Sequence, residues 1–276
     1  GKVTLEQGAN GMADAAGDDM ETGSYSDLKR ATDLCRRMIT QYGMSEELGT
    51  MYLGSDHGYA VMQGVEYTLI LSVVSVLLAV LPALLLATMR LSRCTPVRWL
   101  SGAYIAVFRS TPMLVQLIII YYGVFNAIIV PKFMILGFID SARFIPGVVA
   151  LAINSSAYVA EIFRAGILAV DSGQMEAARS LGLSQSQSMR LVILPQAIKN
   201  VLPALANEVV TMIKESSICM MIGMSEIMFA AQTIAGSTYI SVGPYMLAAI
   251  IYFVINYPTS KIIEHIERRM RRGDKH

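Results

Sequence analysis

The sequence predicts an all-α fold: a polytopic membrane helical bundle of about five transmembrane helices, with a compact helical elbow, preceded by a small soluble helical segment. Hydrophobic residues make up 54% of the 276 positions and the mean hydropathy is +0.50, too apolar for an ordinary soluble globule. Residues 1–58 carry 5 Lys/Arg and 10 Asp/Glu, whereas residues 59–276 carry 17 and 11. We therefore expect two unlike pieces, at 1–57 and 58–276.

The first piece contains one amphipathic helix, expected over residues 26–42. Its apolar residues recur at helical spacing and Gly43 would end it. The apolar face comprises Leu28, Ala31, Leu34, Cys35, Met38, Ile39 and Tyr42.

The second piece contains five apolar stretches. The 23 residues from Tyr67 to Met89 carry no charge, and at about 1.5 Å per residue they can cross a hydrocarbon core of about 30 Å. A second stretch runs to about Ile129, with interruptions at Arg109 and Pro112. The remaining spans are expected at 144–170, 197–218 and 242–260.

The fourth span has two interpretations, because charged residues lie within or beside it. Either 197–218 crosses the membrane and 223–235 forms a helix near the outer mouth, or the whole region is one long kinked helix. The charged residues are Glu208, Lys214 and Glu215.

The distribution of basic residues predicts the orientation. If the link between spans three and four is cytoplasmic, the inside segments hold 13 Lys/Arg and the outside links hold only Lys132 and Arg143. We expect a multi-pass protein of a bacterial-type plasma membrane with its C-terminus in the cytoplasm and residues 1–58 outside. The basic tail after Pro258 suits an anionic inner leaflet and would anchor to lipid.

The link at 171–195 reads as an elbow of two short helices. Asp171 with Gln174, and Ser184 with Gln187, each have the spacing of a capping box. Gly182 would end the first helix and Pro195 would mark entry into span four. The expected apolar face of the first helix comprises Met175, Ala178 and Leu181.

Several ordered blocks resemble the polar amino-acid branch of ATP-binding-cassette importer permeases. Glu176-Ala-Ala, Gly182 and Ile193-Leu-Pro195 are similar to the EAA loop of that family, and further similar blocks lie at 108–116, 157–164 and 213–218. The resemblance covers about residues 60–270. It implies that the elbow is a cytoplasmic coupling helix that docks on an ATPase subunit. The residues expected to couple are Gly173, Gln174, Glu176, Ala177, Ala178, Gly182, Leu183, Ile193, Leu194 and Pro195.

The same resemblance implies an importer of polar amino acids. Its partners would be two ATPase subunits, a second permease subunit in a homodimer or heterodimer, and an extracytoplasmic solute-binding protein. Acidic, basic and amide solutes all remain open, and no nucleic-acid partner is expected. The sequence has no G-x-x-x-x-G-K-[ST] loop, so ATP and Mg would bind to the partner and this chain needs no cofactor.

Polar residues at membrane depth are costly, so they usually face a bundle interior or an aqueous cavity. Asn154, Tyr158 and Glu161 fall at i, i+4 and i+7 on one helix face. Ser216 and Ser217 could break their helix beside Lys214. Each residue either lines a solute pathway or pairs within the bundle. Glu215 is a further ionisable candidate, and the rest of the candidate set is Arg109, Thr111, Pro112, Gln116, Asn154, Tyr158, Glu161, Lys214, Ser216 and Ser217.

Two other functional classes remain at this point. An ion-gradient-driven transporter or channel would need no elbow. A membrane-tethered zinc protease is raised because residues 22–44 resemble the peptidase domain of membrane-bound ATP-dependent zinc proteases, in which an aspartate matching Asp27 helps to bind zinc. The chain has only His57, His265 and His276 and no H-E-x-x-H, so the metal ligands and base are missing. We expect no metal site and no enzyme, and we interpret residues 1–57 as a fused or mis-joined fragment without function.

Overall fold

The computed structural model describes residues 55–128 and 132–272, which are almost entirely helical. The helix predicted at 26–42 lies outside the described residues. The long helices are α1 (Ser55–Arg90), α4 (Ser141–Leu168) and α9 (Gly243–Arg272). Each is long and apolar enough to cross a membrane.

Two bent pairs of helices supply the remaining membrane-length segments. The first pair is α2 (Thr95–Ser110) and α3 (Met113–Ile118), the latter extended by a π-helix over Ile119–Phe125. The second is a long helix through α7 (Leu194–Glu215) followed by α8 (Ile227–Thr238). The described helices therefore provide three spans, or up to five if each bent pair is one span.

The first pair bends by 105° at Thr111 and Pro112, where the sequence predicts an interruption. Thr111 and Pro112 both adopt extended backbone angles, with φ of −105° and −62°. Proline has no N–H to continue the helix and disfavours helical angles in the preceding residue. The chain therefore turns sharply here instead of forming one straight span.

The second pair excludes one of the two interpretations of span four. After α7 the chain tightens into a 3₁₀-helix over Ser216–Ile222, and Gly223 then adopts a φ of +73°. Glu226 is extended and begins α8, which is bent by 47° from the preceding helix. The prediction of one continuous kinked helix is wrong, because four non-helical residues separate the two helices.

A small hairpin is the only β-structure among the described residues. Strand β1 (Met134–Ile135) pairs antiparallel with β2 (Ile139–Asp140), and Leu136 and Gly137 turn between them with positive φ. The sequence analysis did not predict it. Asp140 then caps α4 by accepting a hydrogen bond from the Ala142 N–H at 3.0 Å.

Helix α4 lies at the centre of the bundle and packs most extensively on α7. Small residues allow this close approach, since a Cβ at Gly166 would collide with the Val201 side chain of α7. The same helix also packs on α2 and α3. Helix α4 therefore brings both broken segments to one place in the bundle.

Helix α9 continues without a break from the predicted fifth span into the basic tail. Pro258 lies inside it, and the tail carries the ion pairs Lys261–Glu264 and Arg268–Glu264 at 2.9 and 3.6 Å. An anchor lying flat on the leaflet would need a bend after span five. Helix α9 runs through Pro258 without a break, so the predicted fifth span and the tail belong to one helix.

Candidate functional site

A polar cleft of about 290 Å³ opens where α4 meets α7 and the break between α2 and α3. At about 30 Å³ per molecule, that volume holds roughly ten waters. No lysine, arginine or histidine lines it. The lining residues are Thr111, Pro112, Met113, Asn154, Tyr158, Glu208, Thr211, Met212 and Glu215.

Helix α4 contributes the part of the cleft that the sequence predicts. Asn154 and Tyr158 lie one turn apart and both line it. The third residue of that predicted face, Glu161, does not. Its carboxylate pairs with Arg164 at 2.8 Å and lies 3.9 Å from Arg90 of α1. The sequence left open whether each polar residue lines a solute pathway or pairs within the bundle. Glu161 pairs within the bundle.

Helix α7 contributes Glu208, Thr211 and Glu215, of which Glu208 and Thr211 were not among the predicted site residues. Their spacing of i, i+3 and i+7 places them on one helix face. That periodicity is the signal that could have found them. Glu208 is only 8% exposed, and its Oε1 accepts a hydrogen bond from Ser155 Oγ of α4 at 2.9 Å.

The break between α2 and α3 contributes Thr111 and Pro112 directly. Gln116 lies behind it, 6% exposed, with its amide nitrogen 2.9 Å from the Phe108 carbonyl oxygen. Arg109 is exposed, and its guanidinium carbon lies 5.3 Å from the ring centroid of Tyr158. Such a contact is a cation–π interaction. It places a positive charge beside the cleft without making Arg109 a lining residue.

The three remaining predicted pathway residues do not line the cleft. Lys214 is exposed, and the hydroxyls of Ser216 and Ser217 donate to the carbonyls of Ile213 and Lys214 at 2.8 and 2.7 Å. Serine hydroxyls that bond back to the preceding turn often bend a helix. The change from α-helix to 3₁₀-helix at Ser216 agrees with the predicted break in the helix. The backbone groups beside this change do not line the cleft.

The elbow consists of α5 (Ser172–Ser180) and α6 (Gln185–Ser188), joined through Gly182 at a φ of +87°. Nothing lies within 4 Å of the position that a Cβ would take on Gly182, so only the left-handed backbone requires glycine. Gly182 ends α5 as predicted.

The two predicted capping boxes have different outcomes. Ser184 and Gln187 form a complete box, with bonds of 3.3 and 2.9 Å. The prediction for Asp171 and Gln174 is wrong: Asp171 Oδ1 accepts from the Gly173 N–H at 2.6 Å, and Gln174 does not close the box. Gln174 Oε1 instead lies 3.4 Å from Gln196 Nε2 of α7.

The predicted apolar face of α5 is only partly correct. Ala178 is buried at 4% exposure and Met175 is half-buried, but Leu181 is 85% exposed. Leu181 is the last residue before the left-handed turn, and the change of direction carries its side chain away from the bundle. Glu176 and Ala177 are also exposed. The elbow thus presents a mixed charged and apolar surface to its surroundings.

The second half of the elbow continues directly into the bundle. A π-helix over Met189–Ile193 joins α6 to α7 without a break at Pro195. Helix α7 begins at Leu194 with Pro195 in its first turn, so Pro195 marks the entry into this helix as predicted, and the preceding π turn accommodates the missing N–H. Ile193 is buried, whereas Leu194 and Pro195 are exposed. The elbow is therefore continuous with α7, which carries one wall of the cleft.

A buried carboxylate fixes the start of α8, and the sequence analysis did not identify it. Glu226 is 0% exposed and accepts from the N–H groups of Met228 and Phe229 at 2.8 and 2.7 Å. Tyr252 of α9 donates its hydroxyl to the same carboxylate at 2.9 Å. Helix α1 lies against this point, because Thr68 Oγ1 accepts from the Ile227 N–H at 3.3 Å. An acidic residue at a helix N-terminus is the signal that could have indicated its capping role.

Comparison with known families gives two matches. Residues 75–272 match the binding-protein-dependent transport system inner membrane components. Residues 13–73 match peptidase family M41, so this match extends beyond residue 57 into the first spanning helix.

Curated relatives agree with the larger match. The arginine transport system permease protein ArtQ of Bacillus subtilis is 39% identical over 215 residues, covering 78% of this chain and 94% of its own length. The putative glutamine transport system permease protein GlnP of Rickettsia typhi is 38% identical over 210 residues, covering 76% and 92%.

Solved structures give the same fold. An amino acid ABC transporter crystallised with histidines has a TM-score of 0.70 and 44% sequence identity, covering 79% of this chain and 100% of its own. The MetNI methionine ABC transporter has a TM-score of 0.65 at 18% identity, covering 79% and 99%, and so shares the fold.

Proposed function

Because the chain belongs to the family of binding-protein-dependent transport system inner membrane components and is a permease subunit of an ATP-driven amino-acid importer, we propose that the cleft between α4 and α7 receives the solute. Importers of this kind work with an ATPase and a solute-binding protein. The chain is a multi-pass inner-membrane protein. Its elbow, in this proposal, faces the cytoplasm and engages the ATPase.

The negative charge of the cleft is the observation that supports the proposal about its solute. Glu208 and Glu215 line it and no basic side chain does. Burying a carboxylate such as that of Glu208 is costly unless a partner compensates it, and Ser155 supplies one hydrogen bond. An ammonium or guanidinium group in the cleft would complete the compensation. We propose that the solutes are polar amino acids and that those with a positive side chain bind best.

The rest of a zwitterionic solute is also accommodated. Its carboxylate would face Arg109, whose charge lies beside Tyr158 at the edge of the cleft. Coulomb attraction is stronger near protein than in bulk water. The permease relatives named for arginine and for glutamine suit this polar class.

Coupling would follow from the continuity of the elbow with α7. Closure of the ATPase would move the elbow, and α7 would shift Glu208 and Glu215 relative to α4. The exposed Leu181 and Glu176 supply the surface for docking. A second permease subunit, of the same or a related chain, would complete the transporter. In the membrane, the C-terminus of this chain would lie inside and residues 1–58 outside.

Replacing Glu208 by glutamine tests the solute site. Losing a hydrogen bond to a charged group costs about 1.5 kcal/mol or more, so L-arginine should bind about tenfold more weakly. Binding is measured on the purified permease–ATPase complex in detergent, without the binding protein, because that protein imposes its own selectivity. The matched control is Glu66→Gln, an exposed carboxylate outside the cleft. Equal binding of L-arginine by the wild type and by Glu208→Gln would show that the Glu208 carboxylate does not contact the solute.

Uptake into reconstituted vesicles tests the energy source. The whole transporter, with ATPase and binding protein, should accumulate L-arginine only when ATP is supplied. Accumulation driven by an ion gradient without ATP would instead favour a secondary transporter.

Residues 1–57 are proposed to carry no peptidase activity, although residues 13–73 match the M41 family. The sequence lacks the H-E-x-x-H that would supply two zinc ligands and the general base. Elemental analysis of the purified chain should find no stoichiometric zinc. One zinc per chain would reopen the protease interpretation.

A further inference from the structure

The break between α2 and α3 leaves main-chain carbonyls without helical partners. The Phe108 carbonyl would normally accept from the N–H of residue 112, but Pro112 has none. The Thr111 carbonyl also loses its partner, because the Val115 N–H turns to Pro112 O at 3.1 Å. Unpaired carbonyls at this depth are costly.

Gln116 compensates both carbonyls with one side chain. Its Nε2 lies 2.9 Å from Phe108 O and 3.0 Å from Thr111 O. It also lies 2.7 Å from Thr111 Oγ1, whose own proton goes to the Val107 carbonyl at 2.9 Å. All three neighbours are therefore acceptors. Only the nitrogen of the Gln116 amide can face them, and its oxygen must point the other way.

That orientation determines the orientation of Asn154. The Gln116 Oε1 is an acceptor and lies 2.9 Å from Asn154 Nδ2. The same Nδ2 lies 3.3 Å from Phe108 O. Two acceptors therefore use both protons of the Asn154 amide. Its Oδ1 is left as the group available to the cleft, which Asn154 lines.

We infer that Gln116 is a specificity-determining positioning residue: it holds the Asn154 amide so that the cleft presents a hydrogen-bond acceptor instead of a donor. Together with Glu208 and Glu215, this makes the cleft select solutes that carry donors, such as ammonium and guanidinium groups. A rotated Asn154 amide would offer N–H groups that suit a carboxylate. The inference rests on the proposed function of the cleft.

The test compares two solutes of opposite side-chain charge, L-arginine and L-glutamate. Their dissociation constants are measured on the permease–ATPase complex in detergent for the wild type and for Gln116→Met, which is similar in length but makes no amide bonds. We expect the ratio of the glutamate to the arginine constant to fall about tenfold, because one hydrogen bond worth about 1 kcal/mol or somewhat more is redirected. Equal weakening for both solutes would show a purely structural role and overturn the inference.

A double-mutant cycle separates action through Asn154 from a direct effect. Asn154→Leu should lower the same ratio, and adding Gln116→Met to it should change the ratio no further. Additive effects of the two substitutions would overturn the inference while leaving the proposed function intact. Binding of neither solute by the wild-type complex would overturn the proposed function itself. If Gln116→Met does not accumulate in the membrane, Gln116→Leu takes its place with the same expected fall in the ratio, since leucine also offers Asn154 no acceptor.

Discussion

Replacing Glu176 by lysine is expected to abolish ATP-dependent uptake while the chain still inserts into the membrane. Glu176 is exposed on α5, where its main-chain carbonyl accepts a hydrogen bond from Ser180 Oγ at 3.0 Å. No ion pair of its carboxylate occurs in the described part of the chain. Reversing the charge should therefore cost the fold little, so a loss of uptake would originate at a partner surface.

The expected size of this loss follows from the contact that the elbow is proposed to make. A like charge opposed across an interface costs several kcal/mol, and about 2.7 kcal/mol already corresponds to a hundredfold effect. Initial rates of L-arginine uptake should fall at least a hundredfold in vesicles containing the whole transporter. Co-purification of the ATPase subunit should weaken in parallel.

A matched variant separates docking from a general effect of added positive charge. Asn200 is exposed on α7 outside the elbow, and Asn200→Lys should transport normally. If Glu176→Lys also transports at the wild-type rate, the elbow does not couple transport to ATP. If both variants fail equally, the loss is not specific to the elbow.

Features set by residues close in sequence were the most predictable. Ser184 and Gln187 form their box because both partners lie within one helical turn, and Gly182 is left-handed as the turn requires. Asn154 and Tyr158 share the cleft because helical spacing alone puts them on one face. These predictions needed no knowledge of neighbouring helices.

Features set by tertiary contacts were not predictable from spacing. Glu161 has the right spacing for the cleft, yet its carboxylate joins an ion-pair cluster that Arg90 of α1 completes beside Arg164 of the same helix. The Asp171 box fails because Gln174 lies beside Gln196 of α7, 22 residues away. Periodicity can place a side chain on a face, but it cannot choose among several partners that the face meets.

The largest loss of stability is expected from Glu226→Ala. The wild-type carboxylate satisfies two N–H groups of α8 and the hydroxyl of Tyr252 in a site with 0% exposure. Alanine would remove the cap, worth about 1 kcal/mol, and leave buried donors without acceptors at about 1–3 kcal/mol each. We expect a destabilisation of about 3 kcal/mol or more. At roughly 2–4 °C per kcal/mol for a chain of this size, Tm should fall by roughly 6–12 °C.

Tyr252→Phe is the matched control, because it removes only one of the three hydrogen bonds and leaves the α8 N–H groups capped. Its effect on Tm in detergent should be about a third of that of Glu226→Ala or less. Similar losses for the two variants would mean that the Tyr252 bond, and not the capping of α8, carries the stability. A small effect of both would mean that the packing of Gly64 against the Glu226 backbone, where a Cβ would lie 3.2 Å from the Glu226 carbonyl carbon, holds the break by itself. We expect Glu226→Ala to lower Tm more than Tyr252→Phe because one carboxylate makes both the cap of α8 and the bond to α9. Alanine removes all three hydrogen bonds at once, whereas phenylalanine removes one.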